Sequence, residues 1–210
     1  MINKDIEQVT KDDLQTLVDN AVLERKTLEY KQALPSNSDS AKKEFLADVS
    51  SFANASGGDL IFGITENKKT GAPKSLDGLS IENPDQEILR LENTIRDGIE
   101  PRIPSISTRS IPLDSAKVAL IIRVPKSWSA PHRVIWGGHD KFFSRSSNGK
   151  YPLDVGELLS LSSLFIFPCH PERSEGSPRF LILSGPTFLR HYSRNPLRNH
   201  RHSKWSQSKA

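Results

Sequence analysis

The sequence predicts an α/β (α+β) fold in which a mixed β-sheet is packed by about three helices. Two observations predict it. Helix-like and strand-like segments alternate in the order helix, strand, helix, strand, helix and then several strands. In addition, the apolar run LeuIlePheGlyIle at 60–64 does not alternate with polar residues, which is typical of a strand covered on both faces. The elements around this run are therefore expected to be central ones.

Helices are predicted where a capping residue precedes apolar residues at helical spacing. Thr10 and Asp13 fit a capping box at the start of a first short helix. Asn83 is a natural cap for a later long helix, because proline occupies the first helical position and acidic residues fill the first turn. The other two predicted helices begin at Ser38 or Ser40 and run to about Ala53, and begin at Asp154 and run through Leu159.

Strands are predicted where apolar residues alternate with polar ones or run together. At 27–31 the alternation places Leu28 and Tyr30 on one face of a strand and Glu29 on the other. Further strands are predicted at 105–111, 118–124 and 141–145, the last joined to a short strand at 132–136 by the turn at 136–140. The glycine and proline at 70–74 predict a loop.

The composition is that of a globular protein without a membrane partner. Hydrophobic residues make up 35% of the 210 residues and charged residues 26%. No apolar run approaches the roughly 18 residues that a membrane helix needs, and the N-terminal residues lack a secretion signal. A cytoplasmic location is therefore expected. Cys169 is the single cysteine, so neither an internal disulfide nor a cluster of thiolate metal ligands is expected.

The positive charge of the chain is concentrated in its last residues. Residues 165–210 hold eight Lys and Arg against two Glu, a balance of +6. The chain as a whole carries 29 basic and 25 acidic residues, so the first 164 residues carry 21 and 23, a balance of −2. Two parts are predicted: a domain at 1–163, and an irregular basic tail at 164–210 that is not part of the core.

Three segments resemble the Schlafen-type Alba-like (AlbA) domain: 28–31, 45–64 and 143–153. The resemblance covers about residues 15–160 and implies a compact α/β domain that handles nucleic acid, with some relatives that cut structured RNA. The tail departs from it. Residues 169–177 resemble the translation of a dispersed bacterial repeat, which predicts that the reading frame was interrupted near Ser163 and that the chain is truncated. The alternative is a basic arm that binds phosphates.

The resemblance also implies a set of catalytic carboxylates. Glu24 and Glu29 match the first two acidic positions of the nuclease relatives, while the third falls on Thr65, with Glu66 beside it. Phosphodiester hydrolysis would need Mg²⁺ or Mn²⁺ held by these carboxylates, with Glu24 and Glu29 as the metal ligands. No other cofactor is expected. The alternative is that Glu29 lies on a solvated strand face and that Glu24 is a surface charge at a helix end.

Basic and hydroxyl side chains supply candidate contacts with nucleic acid. The segment after 132 interleaves basic and aromatic residues, an arrangement that pairs phosphate contacts with base stacking. The corner AsnAlaSerGlyGly at 54–58 offers a serine hydroxyl, although Asn54 or Gly57 as a left-handed helix stop explains the corner structurally. His132 and His139 are expected to be exposed loop residues. The candidate contacts are Lys31, Ser56, Arg133, Lys141, Arg145 and Lys150.

Nucleotide-binding motifs are absent from the sequence. GxxxxGK[ST] and GxGxxG do not occur, so no P-loop nucleotide is expected. Three functions remain. The first is non-enzymatic binding of DNA or RNA by a domain of a bacterial transcriptional regulator or defence-type protein. The second is a metal-dependent endoribonuclease. The third is a protein-interaction module that forms a homo-oligomer.

Overall fold

Residues 1–67, 70–114, 116–138 and 140–163 are described by a computed structural model of the chain. The predicted tail at 164–210 and His139 lie outside these ranges. The mixture of helices and sheets confirms the predicted α+β class. The helices are α1 Lys11–Asp19, α2 Asp39–Asn54, α3 Pro84–Gly98 and α4 Val155–Ser163. The strands are β1 Leu28–Lys31, β2 Gly58–Phe62, β3 Ile64–Asn67, β4 Ala72–Leu76, β5 Ile99–Glu100, β6 Ser107–Pro112, β7 Val118–Val124, β8 Arg133–Val134, β9 Lys141–Ser146 and β10 Gly149–Pro152.

The strands form three sheets where the sequence predicts one. The central sheet has the order β1-β2-β7-β6, with β1 parallel to β2 and the other neighbours antiparallel. A second sheet has the order β10-β9-β8-β5, and β3 and β4 form a separate hairpin. Within the described ranges, no helix is long and apolar enough to cross a membrane.

The predicted strand at 60–64 is divided at Gly63. This residue has φ +98°, a backbone conformation that costs glycine little and other residues more. Its N–H donates to the carbonyl of Lys31 at 2.8 Å, and its own carbonyl accepts from Gly78 at 2.9 Å. The chain therefore leaves the central sheet after Phe62 and starts the β3–β4 hairpin.

The predicted loop at 70–74 is confirmed only for the turn at Thr70 and Gly71 and is wrong for 72–74, because Ala72–Leu76 forms β4. Pro73 cannot donate a hydrogen bond to a neighbouring strand, and proline is accordingly confined to edge strands and bulges. Both conditions hold here: β4 pairs with β3 alone among the described strands, and Pro73 lies opposite Glu66 where the register shifts.

The predicted helix caps are confirmed. Thr10 and Asp13 form the capping box of α1, and the Asn83 side chain accepts a hydrogen bond from the N–H of Gln86 at 3.1 Å. Ser38, rather than Ser40, caps α2. These caps satisfy backbone donors that the first turn of a helix leaves free.

The core lies on both faces of the central sheet, as the apolar run predicts. Leu60 and Phe62 of β2 pack into a cluster with α2 and α3, whereas Ile61 between them packs into a second cluster with α1 and β1. β7 alternates in the same way, with Ile121 on the side of Ile61. The central strands are thus buried on both sides.

Gly57 forms the corner between α2 and β2. Its φ is +70°, and a Cβ placed there would lie 2.6 Å from the backbone nitrogen of Lys126 and 2.7 Å from the carbonyl oxygen of Val124. Of the two predicted left-handed residues, Gly57 is the correct one, since Asn54 is the last residue of α2. The loop after β7 therefore packs directly against the corner.

Candidate functional site

Glu24 lies just before β1, and its Oε1 accepts a hydrogen bond from the N–H of Tyr30 at 2.7 Å. Burial of the charged carboxylate, helped by the negative charges of Glu29 and Glu66, raises the pKa of Glu24 to about 7 against the opposing effect of the Tyr30 hydrogen bond. The three predicted catalytic carboxylates therefore act on one another electrostatically. Glu24 itself is half-buried and does not lie at a helix end.

Glu29 is buried, which overturns its alternative placement on a solvated strand face. One of its oxygens lies 2.6 Å from Lys31 Nζ, and the other accepts from the guanidinium of Arg145. Burial alone would raise the pKa of Glu29, but the charges of Lys31 and Arg145 outweigh it and hold the pKa below its ordinary value. Both carboxylate oxygens are thus already engaged.

The ion pair of Glu29 is one link in a longer series. Lys31 Nζ is 3.3 Å from Asp48, and Asp48 is 2.6 Å from Lys150 Nζ, which also pairs with Glu44. Burial and the Glu29 charge raise the pKa of Asp48 to about 6 against the opposing effect of the two lysines. We call the six residues the charge chain: Arg145, Glu29, Lys31, Asp48, Lys150 and Glu44.

The charge chain links four elements and carries no net formal charge. Its three cations and three carboxylates alternate from β9 through β1 and α2 to β10 and back to α2. Removing one partner of a buried ion pair leaves an uncompensated charge and costs about 3–5 kcal/mol. The arrangement therefore fixes the second sheet against α2 and β1, and it leaves little charge for a ligand.

The carboxylates do not fit a metal ion as they are arranged. Among residues 1–163, where the structure describes them, no group of three His, Cys, Asp or Glu is placed to hold one. Glu29 is occupied by two cations and Glu24 by a backbone donor. No reaction step through a metal follows from this geometry. The assignment of Glu24 and Glu29 as ligands of Mg²⁺ or Mn²⁺ stays a prediction.

Four of the six candidate nucleic-acid contacts have carboxylate partners. Lys31, Arg145 and Lys150 belong to the charge chain, and Arg133 pairs with Glu100 at 2.9 Å and Asp140 at 3.0 Å. Ser56 and Lys141 are exposed. A cation that already has a buried or bridging partner has less to gain from a phosphate than one surrounded by water.

Arg145 is the most deeply buried of these cations, with its side chain 2% exposed. Its guanidinium carbon lies 3.8 Å from the centre of the Phe52 ring, a favourable cation–π contact. Its Nε and Nη1 have no hydrogen-bond partner in the described part of the chain. The sequence predicts Arg145 as a surface contact, but strand alternation alone does not show that α2 covers this face of β9.

Exposed cations without ion pairs lie in another place, at the end of the central sheet beside Gly57. Lys26 precedes β1 and Lys126 follows β7; both are exposed, and neither has an ion pair within the described ranges. Thr27 accepts a hydrogen bond from Asp59 of β2, and Gly58 pairs with Val124 of β7. The two lysines therefore lie at the same end of the central sheet.

Arg102 follows β5 of the second sheet, and its neighbour Pro101 is connected by two hydrogen bonds to the last residue of α2, close to Gly57. The carbonyl of Pro101, its neighbour, lies 2.6 Å from Nδ1 of His132, and the His132 N–H donates to Asn54 at 2.7 Å. Arg102 itself is exposed and has no ion pair with a described residue. His132 is fully buried, contrary to the expectation, and burial lowers its pKa.

Trp128 lies in the loop after β7, two residues beyond Lys126, and is 84% exposed. Its loop is ordered by hydrogen bonds: the N–H of Ser127 donates to Ala53 at 3.0 Å, and that of Ser129 donates to the Ser127 hydroxyl at 3.1 Å. We call the five exposed side chains near the corner between α2 and β2 the corner surface: Lys26, Ser56, Arg102, Lys126 and Trp128.

Sequence reasoning found Ser56 but missed the other members of the corner surface. The signal for two of them was the segment ProLysSerTrpSerAlaPro at 125–131, where a lysine and a tryptophan lie between prolines in a polar loop. Lys26 and Arg102 carry no such signal, because contacts between residues far apart in the chain bring them near the corner: strand pairing for Lys26, and the hydrogen bonds of His132 for Arg102.

The family model described as Schlafen, AlbA_2 matches residues 24–154. No curated protein matches the chain. The crystal structure of the DIP2311 protein from Corynebacterium diphtheriae is 18% identical, covers 71% of the chain and has a TM-score of 0.44. The chain spans 27% of that protein's length. The solution NMR structure of the N-terminal domain of a RecG-related protein from Nitrosomonas europaea is 24% identical, with a TM-score of 0.41, and covers 53% of the chain and 71% of that domain.

The family match includes the charge chain, the α2–β2 corner and the loop that carries Trp128. It agrees with the resemblance seen in the three sequence segments. Because the match spans more than half of the 210 residues, the chain belongs to the Schlafen AlbA_2 family.

Proposed function

We propose that this domain binds nucleic acid, DNA or RNA, without cutting it, and that the contacts lie on the corner surface. One observation carries the proposal: three exposed cations without ion pairs among the described residues surround the corner between α2 and β2. Lys26 and Lys126 lie at the same end of the central sheet, and Arg102 follows Pro101, which is connected through His132 to the last residue of α2. Membership of the AlbA_2 family supports the choice of ligand. We place the chain as a domain of a regulator or defence-type protein on the same basis.

The chemistry of the corner surface suits a phosphate backbone. Solvated lysine and arginine side chains release counterions when they neutralise phosphates, and this gain is largest for cations that do not have to break an ion pair first. Ser56 adds an exposed hydroxyl beside the two lysines. The charge chain, in contrast, would have to lose buried ion pairs before it contacted a phosphate.

A salt titration of binding tests the proposal. The full chain and the triple variant Lys26→Ala, Arg102→Ala, Lys126→Ala are titrated with a labelled oligonucleotide at several salt concentrations. The slope of log affinity against log salt falls by about 0.7–0.9 for each phosphate that the protein no longer neutralises, so we expect a reduction of about 2. All variants keep the basic residues of 165–210, so differences between them come from the corner surface.

Lys74→Ala is the matched control. Lys74 is exposed on β4, in a different sheet, and forms no ion pair with a described residue. Its removal should leave the salt slope unchanged. An unchanged slope in the triple variant would contradict the proposal. A smaller slope in Arg133→Ala or Lys141→Ala would instead place the nucleic-acid contacts on strands β8 and β9.

The metal-dependent endoribonuclease stays a prediction. Its support is the position of Glu24, whose pKa is raised to about 7 chiefly by burial and further by the charges of Glu29 and Glu66. Incubation of the chain with structured RNA and Mn²⁺ tests it, with Glu24→Gln as the comparison. Cleavage by the wild type that the variant lacks would support a nuclease, and no cleavage at high protein concentration would remove it.

Homo-oligomer formation, the remaining candidate, is supported by α4. Val155 and Leu159 lie one turn apart on this helix and are 73% and 66% exposed. An apolar pair at this spacing forms a stripe that a second copy of the domain can cover. The molar mass in solution, compared between the wild type and Leu159→Glu, tests this candidate. A monomeric wild type would contradict it.

A further inference from the structure

We propose that Trp128 is a stacking platform for an unpaired base, so that the corner surface takes single-stranded nucleic acid rather than duplex. This inference rests on the proposed function and names its ligand class. The starting observation is that Trp128 is 84% exposed. Its ring is one of the largest hydrophobic groups in proteins, and packing within the domain does not explain why it faces solvent.

The loop that carries Trp128 is held in place by hydrogen bonds on both sides of this residue. Ser127 is buried, and its N–H donates to the last turn of α2 at Ala53. The hydroxyl of Ser127 in turn accepts from the N–H of Ser129 at 3.1 Å. Trp128 is thus flanked on both sides by residues with fixed backbone contacts, so its backbone position is set before a ligand arrives. A platform that is positioned in advance loses less conformational entropy on binding.

The corner itself prevents the loop from moving toward the protein. The backbone at Val124 and Lys126 lies against Gly57, where even one added methyl group would overlap with it. Trp128 therefore projects from a closely packed junction of α2, β2 and β7. Lys126 precedes it by two residues, and Ser56 lies on the other side of Gly57.

Exposed cations and an exposed aromatic ring at the same corner of the fold favour one class of ligand. The phosphates of a nucleic acid match the lysines and the arginine, and a base offers a flat face that stacks on the indole. In a duplex the bases already stack on one another and are paired, so the ring would find no free face. An acidic peptide would match the charges but would leave the indole without a planar partner.

Binding of matched oligonucleotides by the full chain tests the inference. The ligands are a single strand of about ten nucleotides, the duplex of the same sequence, and an abasic single strand that has the same phosphates but no bases, each as DNA and as RNA. We expect the single strand to bind more tightly than the duplex. Trp128→Ala should weaken single-strand binding by about 5- to 100-fold, because each stacked base contributes in that range.

Two further results are specific to stacking. Trp128→Ala should leave the affinity for the abasic strand and the salt slope unchanged, since it removes no cation. Trp128→Phe should restore most of the single-strand affinity, because a phenyl ring still offers a stacking face. Trp136→Phe is the matched control: Trp136 donates to Asp39 at 3.0 Å and lies under Lys42, so it is already occupied.

The outcomes separate the inference from the proposed function. If the triple cation variant loses salt-dependent binding while Trp128→Ala binds single strands normally, the inference is overturned and the proposed function stands. Equal affinity for duplex and single strand, or for the abasic and natural strands, also overturns the inference. Polyglutamate that competes as well as the oligonucleotide would assign the surface to acidic protein segments. Binding without any salt dependence overturns the proposed function itself.

Discussion

Asn54 and His132 exchange two hydrogen bonds: the Asn54 side chain accepts from the N–H of His132 at 2.7 Å and donates to its carbonyl at 2.9 Å. The same amide also donates to the carbonyl of Phe143 at 2.8 Å. A side chain at the end of α2 thus pairs with two backbone segments as a neighbouring strand would. Asn54 and His132 are buried, so their polar groups need partners inside the protein.

Asn54→Ala should destabilise the domain by about 3 kcal/mol, because the buried N–H and carbonyl of His132 both lose their hydrogen bonds to the Asn54 amide. Urea unfolding followed by circular dichroism measures the change. Asn3→Ala is the control, since Asn3 is exposed and should tolerate the substitution within about 0.5 kcal/mol. Equal midpoints for the two variants would show that water replaces the Asn54 side chain.

Arg145→Ala should also destabilise the domain, by about 3–5 kcal/mol, because it leaves the buried Glu29 carboxylate short of a partner. The double variant Glu29→Gln, Arg145→Met should lose less than the sum of the single changes, since it leaves neither charge unpaired. Lys141→Ala, an exposed change on the same strand, is the control. Full stability of Arg145→Ala, combined with weaker nucleic-acid binding, would return Arg145 to the interface.

Gly57→Ala should cost more than Gly71→Ala, although both glycines have φ near +70°. A Cβ at Gly71 meets nothing within 4 Å, so its substitution should cost only the backbone strain, about 1 kcal/mol. At Gly57 the same strain adds to an overlap with backbone atoms of the β7 loop. Thermal unfolding separates the two, and equal melting temperatures would show that the loop moves away freely. Gly57→Ala should also change the fluorescence of Trp128.

Glu24→Gln should flatten the dependence of stability on pH. The pKa of Glu24 rises from 4.5 to about 7 on folding, so the folded state retains a proton that the unfolded state releases. This contribution is complete below about pH 4.5 and is lost as pH rises through about 7. The variant should therefore become more stable than the wild type above pH 7, by about 1 kcal/mol once solvent screening is considered.

Urea unfolding at pH 5, 6, 7 and 8 measures this effect, with Glu92→Gln, an exposed residue of α3, as the control. The glutamine oxygen can still accept the hydrogen bond from Tyr30. Parallel curves for Glu24→Gln and the wild type would show that Glu24 titrates normally in the folded domain.

The parts of the fold that the sequence predicts well are those set by neighbouring residues. Caps at Thr10, Ser38 and Asn83 and the strand at 118–124 follow from local hydrogen bonding and side-chain period, and the structure agrees. The split at Gly63 and the strand at β4 depend on which segments pair, which no local pattern encodes.

The candidate site was harder to predict for the same reason. The sequence pattern of a strand is the same whether its lysine or arginine faces water or pairs with a carboxylate from a distant helix. Arg145 and Lys150 meet residues about a hundred positions earlier in the chain, and these partners turn expected surface contacts into internal ones. Trp128 was overlooked because the polar loop around it resembles an ordinary connection.

Gly57 and the charge chain have a consequence for how such domains diversify. The three segments by which the family is recognised contain Gly57 and five of the six charge-chain residues, whereas Lys26, Arg102, Lys126 and Trp128 all fall outside them. These segments are thus mainly scaffold, and the residues proposed to meet the ligand, apart from Ser56, are in adjoining turns. Substitutions in those turns can change what a member binds while its recognisable segments stay the same, so two chains with identical motifs need not share a ligand.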